Sequence, residues 1–199
     1  MTTNILDQVE VNVLEGVLDS YITQKTSVAL SSLLGESVNH VVKQTHMEIS
    51  KIGHVDNVIQ EIVACSVFLH GGGDIRLGIL YTMPEQSAKE IAAKLMCIDK
   101  IDSLDDMSKS AISEVGNIMS GSFFNALADH TGLKVELSTP DFAMTSLAAL
   151  LEPHASEFVC PTGDMVTEVE FTGKDSGLLL RMLIIQDYDN ARKLLNPER

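Results

Sequence analysis

Between residues 110 and 121 the chain reads Ser110-Ala111-Ile112-Ser113-Glu114-Val115-Gly116-Asn117-Ile118-Met119-Ser120-Gly121. Ser110, Glu114, Asn117 and Gly121 follow one another at steps of four, three and four. On a helix that spacing sets them in one stripe, with Ile112, Val115, Ile118, Met119 and Phe123 left to supply the buried side. Glu114 and Asn117 would stand roughly 5–6 Å apart at Cβ. A carboxylate can anchor a cation, and a carboxamide can donate to and accept from the same water. Such a pair can dock on a charged partner and hold a water in place, but asparagine cannot serve as a base at neutral pH. Gly121, one turn on, removes a side chain at a cost of about 1 kcal/mol against alanine, which suggests that something comes close to this face. A solvated helix face with an incidental Glu and Asn would have the same spacing, so the stripe alone does not decide.

The other chemistry-bearing residues form no comparable constellation. Cys65, Cys97 and Cys160 are far apart and contain no Cys-x-x-Cys pair, so neither a zinc site nor a redox motif is indicated. His40, His46, His54, His70, His130 and His154 show neither His-x-x-x-His nor His-Glu-x-x-His spacing, which argues against a metal site. Gly71-Gly72-Gly73-Asp74 lies between two strand-like runs with no Lys-Ser/Thr after it, so it reads as a hairpin turn and not a phosphate cradle.

The formal charge is −14, from 14 basic and 28 acidic residues, and there is no tryptophan. Such a surface repels nucleic acid and anionic membranes. No apolar run reaches the ~20 residues of a membrane span, and residues 1–15 lack the basic segment and apolar run of a signal peptide. These features lead to the expectation of a soluble, cytoplasmic protein.

The helix that must carry the stripe begins after the polar connector Asp102–Asp106 and runs to about His130, with Gly132 as its stop. Residues 5–24 read as an earlier helix on the apolar series Val9, Val13, Val17 and Tyr21, and Gly35 is a stop for any continuation of it. Val38–Ile52 reads as extended. Ile59–Leu69 and Ile75–Met83 read as a hairpin around the glycine run. Pro84 opens a helix to Cys97. After Gly132, Leu133–Leu137 is extended, and Pro153 and Pro161 break the apolar stretch that starts at Met144. Met165–Phe171 and Gly177–Ile185 form a second hairpin candidate, and Asp187–Leu195 a closing helix.

The two halves, about 1–100 and 101–199, share this order of elements. Ala29–Val38 and Asn125–Val135 both run from a helix end through a glycine to a strand. Gly73–Leu80 parallels Gly173–Leu179. The expected architecture is α+β: a tandem pseudo-twofold repeat in one domain, with a mostly antiparallel sheet and two long helices packed on it.

The pattern Ser110-x-x-x-Glu114-x-x-Asn117, with Pro140 after twenty-two further residues, resembles the signature of the CheC/CheX/FliY chemotaxis phosphatases. The duplicated halves and the length resemble CheC more than the shorter CheX. The resemblance implies a phosphatase acting on the aspartyl phosphate of a CheY-like receiver. In it Asn117 orients the attacking water and Glu114 pairs with the receiver's lysine; Ser110, Gly121 and Pro140 support the site, and the receiver supplies the Mg²⁺. It also leaves open a non-catalytic module that docks on a receiver, a flagellar switch component or a CheD-type deamidase, and it leaves homodimerisation open. When Gly35 is set on Gly132, the Glu, Asn and Pro positions of the first half fall on Val17, Ser20 and Lys43. One competent site is therefore expected, with the first helix structural or an interaction surface.

Overall fold

The structure is a computed structural model, and it describes residues 5–46, 64–145 and 164–195. Asp7 starts the first helix by accepting from the backbone N–H groups of Val9 and Glu10, and the Glu10 carboxylate accepts from the Asp7 N–H. This reciprocal box satisfies N–H groups that the helix itself cannot. Helix α1 (Gln8–Val17) passes through a π-helical turn, Leu18–Thr23, into α2 (Gln24–Leu34). The Thr23 hydroxyl donates to the Leu18 carbonyl in that turn. Gly35, left-handed at φ 67°, ends the helix where expected.

Of the series Val9, Val13, Val17, Tyr21, Val17 alone packs against the core. Val9 is 70%, Val13 49% and Tyr21 56% exposed, whereas Val11, Leu14, Leu18 and Ile22 are buried. The helix carries apolar residues on two faces, and the leucine-bearing face has the larger side chains to bury.

Among the described residues, seven strands form one sheet: β1 (Val38–His46), β2 (Ala64–Gly73), β3 (Leu77–Met83), β4 (Val135–Leu137), β5 (Asp141–Thr145), β6 (Asp164–Gly173) and β7 (Leu179–Asp187). Every pair is antiparallel, in the order β1-β6-β7-β3-β2-β4, with β5 also on β2. The order reads alike from both edges. Hairpins β2–β3 and β6–β7 meet along β3–β7, and each is flanked by the leading strand of the opposite half. The glycine run ends the first strand of its hairpin, which closes on the Gly71–Leu77 pair. Of the long extended segment expected from Val38, residues 38–46 form β1; residues 47–52 lie outside the described residues, as do Pro153 and Pro161. Strand β5 has no counterpart among the elements expected from the sequence.

Helix α3 (Glu85–Leu95) starts after Pro84 as expected, followed by α4 (Asp106–Thr131) and α5 (Tyr188–Leu195). The α1–α2 rod and α4 are the two long helices, and both belong to the main core. There Leu14, Leu18, Ile22 and Leu30 join Ile112, Val115, Met119 and Phe123 above Val67, Ile79, Tyr81, Met182 and Ile184.

Candidate functional site

Helix α4 is fixed at both ends by its own sequence. Asp105 accepts from the Ser108 backbone N–H at 2.8 Å and from its hydroxyl at 2.6 Å, satisfying one N-terminal donor. Gly132, at φ 75°, closes the other end. The inward side is dry: Ile112, Met119 and Phe123 are fully buried and Val115 is 1% exposed. Ile118, expected among them, is instead partly exposed and flanks the stripe.

Ser110 and Glu114 lie on the outward face with Asn117 and Gly121; Ser110 and Glu114 are exposed, and the other two are half-buried. Among the described residues, neither the Glu114 carboxylate nor the Asn117 carboxamide has a hydrogen-bond or ion-pair partner. Both side chains keep their full hydrogen-bonding capacity for a visitor.

Beneath the stripe the helix lies very close to the sheet. A Cβ on Gly116 would come within 2.7 Å of the Val67 Cγ1 and 3.5 Å of the Tyr81 ring. One turn on, the buried Ser120 hydroxyl donates to the Tyr81 hydroxyl at 3.2 Å, while burial pushes the Tyr81 phenol well above its ordinary range. The side of α4 is tied to α2 by Ser122, whose hydroxyl donates to the Lys25 carbonyl at 3.1 Å, and by the 2.9 Å Lys25–Asp129 ion pair. Sequence reasoning assigned no role to Gly116 or Ser120. Their signal was two small residues on the inward side of an otherwise large-residue helix. Gly121 differs, because among the described residues a Cβ there would meet nothing within 4 Å, so no described neighbour explains it.

Pro140 is not on the helix. It sits between β4 and β5, both of which touch α4. Gly71 pairs with Leu137 and Phe68 with Asp141, so the outer strands take one more residue than β2 across this stretch. That bulge is anchored by Ser138, whose N–H donates to the His70 carbonyl and whose hydroxyl accepts from the His70 N–H. A proline costs nothing at a bulge on a sheet edge, since no ladder bond needs its missing N–H.

The first half does not repeat the pair. Val17 is half-buried, Ser20 is exposed, and Lys43 is ion-paired to Glu170 at 3.1 Å. If the π turn is counted as one inserted residue, Gly16 and Asp19 take the places of Glu114 and Asn117. Asp19 lies 3.4 Å from the His40 Nε2. Neither register brings a carboxylate and a carboxamide together.

Among the described residues, no group of three or more His, Cys, Asp or Glu side chains could hold a metal ion, and no helix is long and apolar enough to cross a membrane.

Residues 107–144 match the CheC-like family, a segment that contains Ser110, Glu114, Asn117, Gly121 and Pro140. The chain is 29% identical over 142 residues to the CheY-P phosphatase CheC of Bacillus subtilis, covering 67% of this chain and 68% of that protein. Its fold is that of Thermotoga maritima FliY, with a TM-score of 0.69 at 17% identity over 96% of each chain. It is also that of the Borrelia burgdorferi CheX solved as a CheX–CheY–BeF3–Mg²⁺ complex, with a TM-score of 0.56 at 19% identity over 83% of this chain and 95% of that one.

Proposed function

From a chain that is CheC-like in its family segment, its curated relatives and its fold, we propose that it hydrolyses the aspartyl phosphate of a CheY-like receiver domain, with α4 as the docking element. The observation that carries this reading is the outward Glu114/Asn117 pair, one helical turn apart, without partners among the described residues and mounted on a rigid helix.

An acyl phosphate is already reactive, so a helper protein contributes position and electrostatics more than new covalent chemistry. In the proposed complex the Asn117 carboxamide oxygen accepts a hydrogen bond from one water and aims the water oxygen at phosphorus. The water oxygen bonds to phosphorus as the bond to the aspartyl oxygen breaks. The products are free carboxylate and inorganic phosphate, and the water proton passes to phosphate or solvent. Holding that water lowers the entropic part of the barrier. Glu114 pairs with a lysine of the receiver and sets the register of Asn117. Mg²⁺ comes with the receiver; the Borrelia burgdorferi complex contains the ion together with CheX, CheY and BeF3. The same reading treats residues 1–199 as one domain of two repeats with one working site, acting in the cytoplasm where receivers are phosphorylated, and a CheD-type deamidase is a further partner to test.

A second reading is a docking module that sequesters the receiver without hydrolysis, favoured by the missing pair in the first half. The two separate in one assay. When the chain is mixed substoichiometrically with a phosphorylated CheY-like receiver, hydrolysis releases phosphate over many turnovers. Sequestration gives binding with no acceleration, and an absence of both overturns the reading.

A further inference from the structure

The outward line of α4 begins one turn before Ser110, at Met107. Met107, Ser110, Glu114, Asn117 and Gly121 follow one another at steps of three, four, three and four. Residues seven apart on an α-helix differ by only about 20° around its axis, so Met107, Glu114 and Gly121 stand nearly in one row, with Ser110 and Asn117 in a second row beside it. Met107 is 66% exposed, and among the described residues it is the one large apolar side chain left exposed on α4. A lone exposed apolar residue is ordinary on a protein surface, but this one has an unusual place. The first turn of a helix favours acidic side chains, and this chain has 28 acidic residues to draw on. Met107 also extends the row that carries Glu114. Beside it, Asp106 and Lys109 lie 3.5 Å apart and balance each other's charge.

We propose that Met107 is a specificity-determining contact for the receiver, an apolar anchor that meets an apolar side chain beside the phosphorylated pocket while Glu114 and Asn117 enter it. The inference rests on the reading of α4 as the docking element. Distance supports it. At a rise of 1.5 Å per residue, Met107 lies about 10 Å along the axis from Glu114 and about 15 Å from Asn117. A standard interface covers about 800 Å² on each partner, a disc roughly 16 Å in radius. A receiver seated on the Glu114/Asn117 pair with such a footprint reaches Met107. Methionine suits the contact, because its unbranched, polarizable side chain adapts to the surface it meets, and it is enriched at protein interfaces. Met107 stands outside the pocket where the bond breaks. It therefore holds the receiver equally before and during hydrolysis, and acts on KM and not on kcat.

Two measurements on the full chain test it: steady-state hydrolysis over a range of phosphorylated receiver concentrations, and binding of the same receiver loaded with Mg²⁺ and BeF3. Met107→Gln keeps the length of the side chain and removes its apolar end. It is expected to raise KM and the dissociation constant about tenfold, with kcat within about twofold of the wild type. Met107→Leu is expected to restore both constants, and neither variant should move the melting temperature. Asn117→Ala, the control for the hydrolytic reading, should lose kcat and keep its affinity. If Asn117→Ala abolishes hydrolysis but Met107→Gln keeps the wild-type KM and dissociation constant, the proposal is overturned and the phosphatase reading stands. If the wild type binds the loaded receiver without hydrolysing it, the phosphatase reading fails, and a Met107→Gln variant that binds more weakly still upholds the proposal. A wild type that binds no receiver overturns both.

Discussion

Gly116 rests on Val67: a methyl group at Gly116 would come within 2.7 Å of the Val67 Cγ1. Gly116 lies in sequence between Glu114 and Asn117 but faces the opposite way. The contact that sets the height of α4 over the sheet therefore also sets the height of the stripe. Gly116→Ala should overpack this contact and cost about 1–3 kcal/mol, visible as a lower melting temperature. Val67→Ala in the same chain should recover part of that loss. A variant with unchanged melting temperature would show that the helix sits on the sheet more loosely than described.

Replacing the stripe residues should affect activity and leave stability alone. Glu114 is exposed, Asn117 is half-buried, and neither makes a bond within the described chain, so Asn117→Ala and Glu114→Ala should shift unfolding free energy by no more than about 0.5 kcal/mol. Asn117→Ala should lower receiver dephosphorylation roughly a hundredfold or more with affinity largely kept. Glu114→Ala should weaken receiver binding by about 2–5 kcal/mol if its ion pair is desolvated in the complex. Single-turnover phosphate release at saturating and subsaturating chain separates the two effects.

Gly121→Ala should move stability and docking in opposite directions. The added methyl meets nothing among the described residues, so the helix should gain up to about 1 kcal/mol. If the glycine makes room for a partner, the same methyl should weaken receiver binding. Chemical denaturation and a receiver titration on one preparation test both halves, and a variant that binds as well as the wild type removes the role assigned to Gly121.

Acid stability should depend on Glu36. This buried residue joins the end of α2 to the β6–β7 turn and to α3. It accepts from the Asp175 and Ser176 backbone N–H groups at 2.9 Å each, from the Ser176 hydroxyl at 2.7 Å and from Lys94 at 2.9 Å. Burial pushes its carboxyl up, but the bonds from Ser176, Lys94 and Asp175 outweigh it and hold the pKa at about 2, against an ordinary 4.5. Because the folded value lies below the unfolded one, the contribution is complete above pH 4.5 and is lost as pH falls toward 2. Glu36→Gln should cost about 2 kcal/mol at neutral pH, and its stability should fall less steeply than the wild type's between pH 4.5 and 2.

Gln186 should be replaceable with a gain. It is 2% exposed on β7, and neither its side-chain oxygen nor its nitrogen has a hydrogen-bond partner among the described residues. An unsatisfied buried amide costs about 1–3 kcal/mol, so Gln186→Met, close to it in volume, should raise the melting temperature. A fall would mean that the amide is satisfied in solution.

The sequence by itself determined the features that act over a few residues. The connector Asp102–Asp106 leads into α4, Gly35 and Gly132 end helices, Pro84 opens α3, and the glycine run turns the first hairpin. Each is a backbone preference satisfied locally. The stripe from Ser110 to Gly121 was also legible, because helical spacing alone puts those residues on one face. The tertiary structure decided which apolar face of the first helix is buried. Val9, Val13 and Tyr21 make as regular a line as Leu14, Leu18 and Ile22, and only packing against α4 and the sheet chooses between them. It also decided the strand order, since β1 pairs with β6 across more than a hundred residues, and that pairing is selected by the core both halves share and not by any signal in either strand.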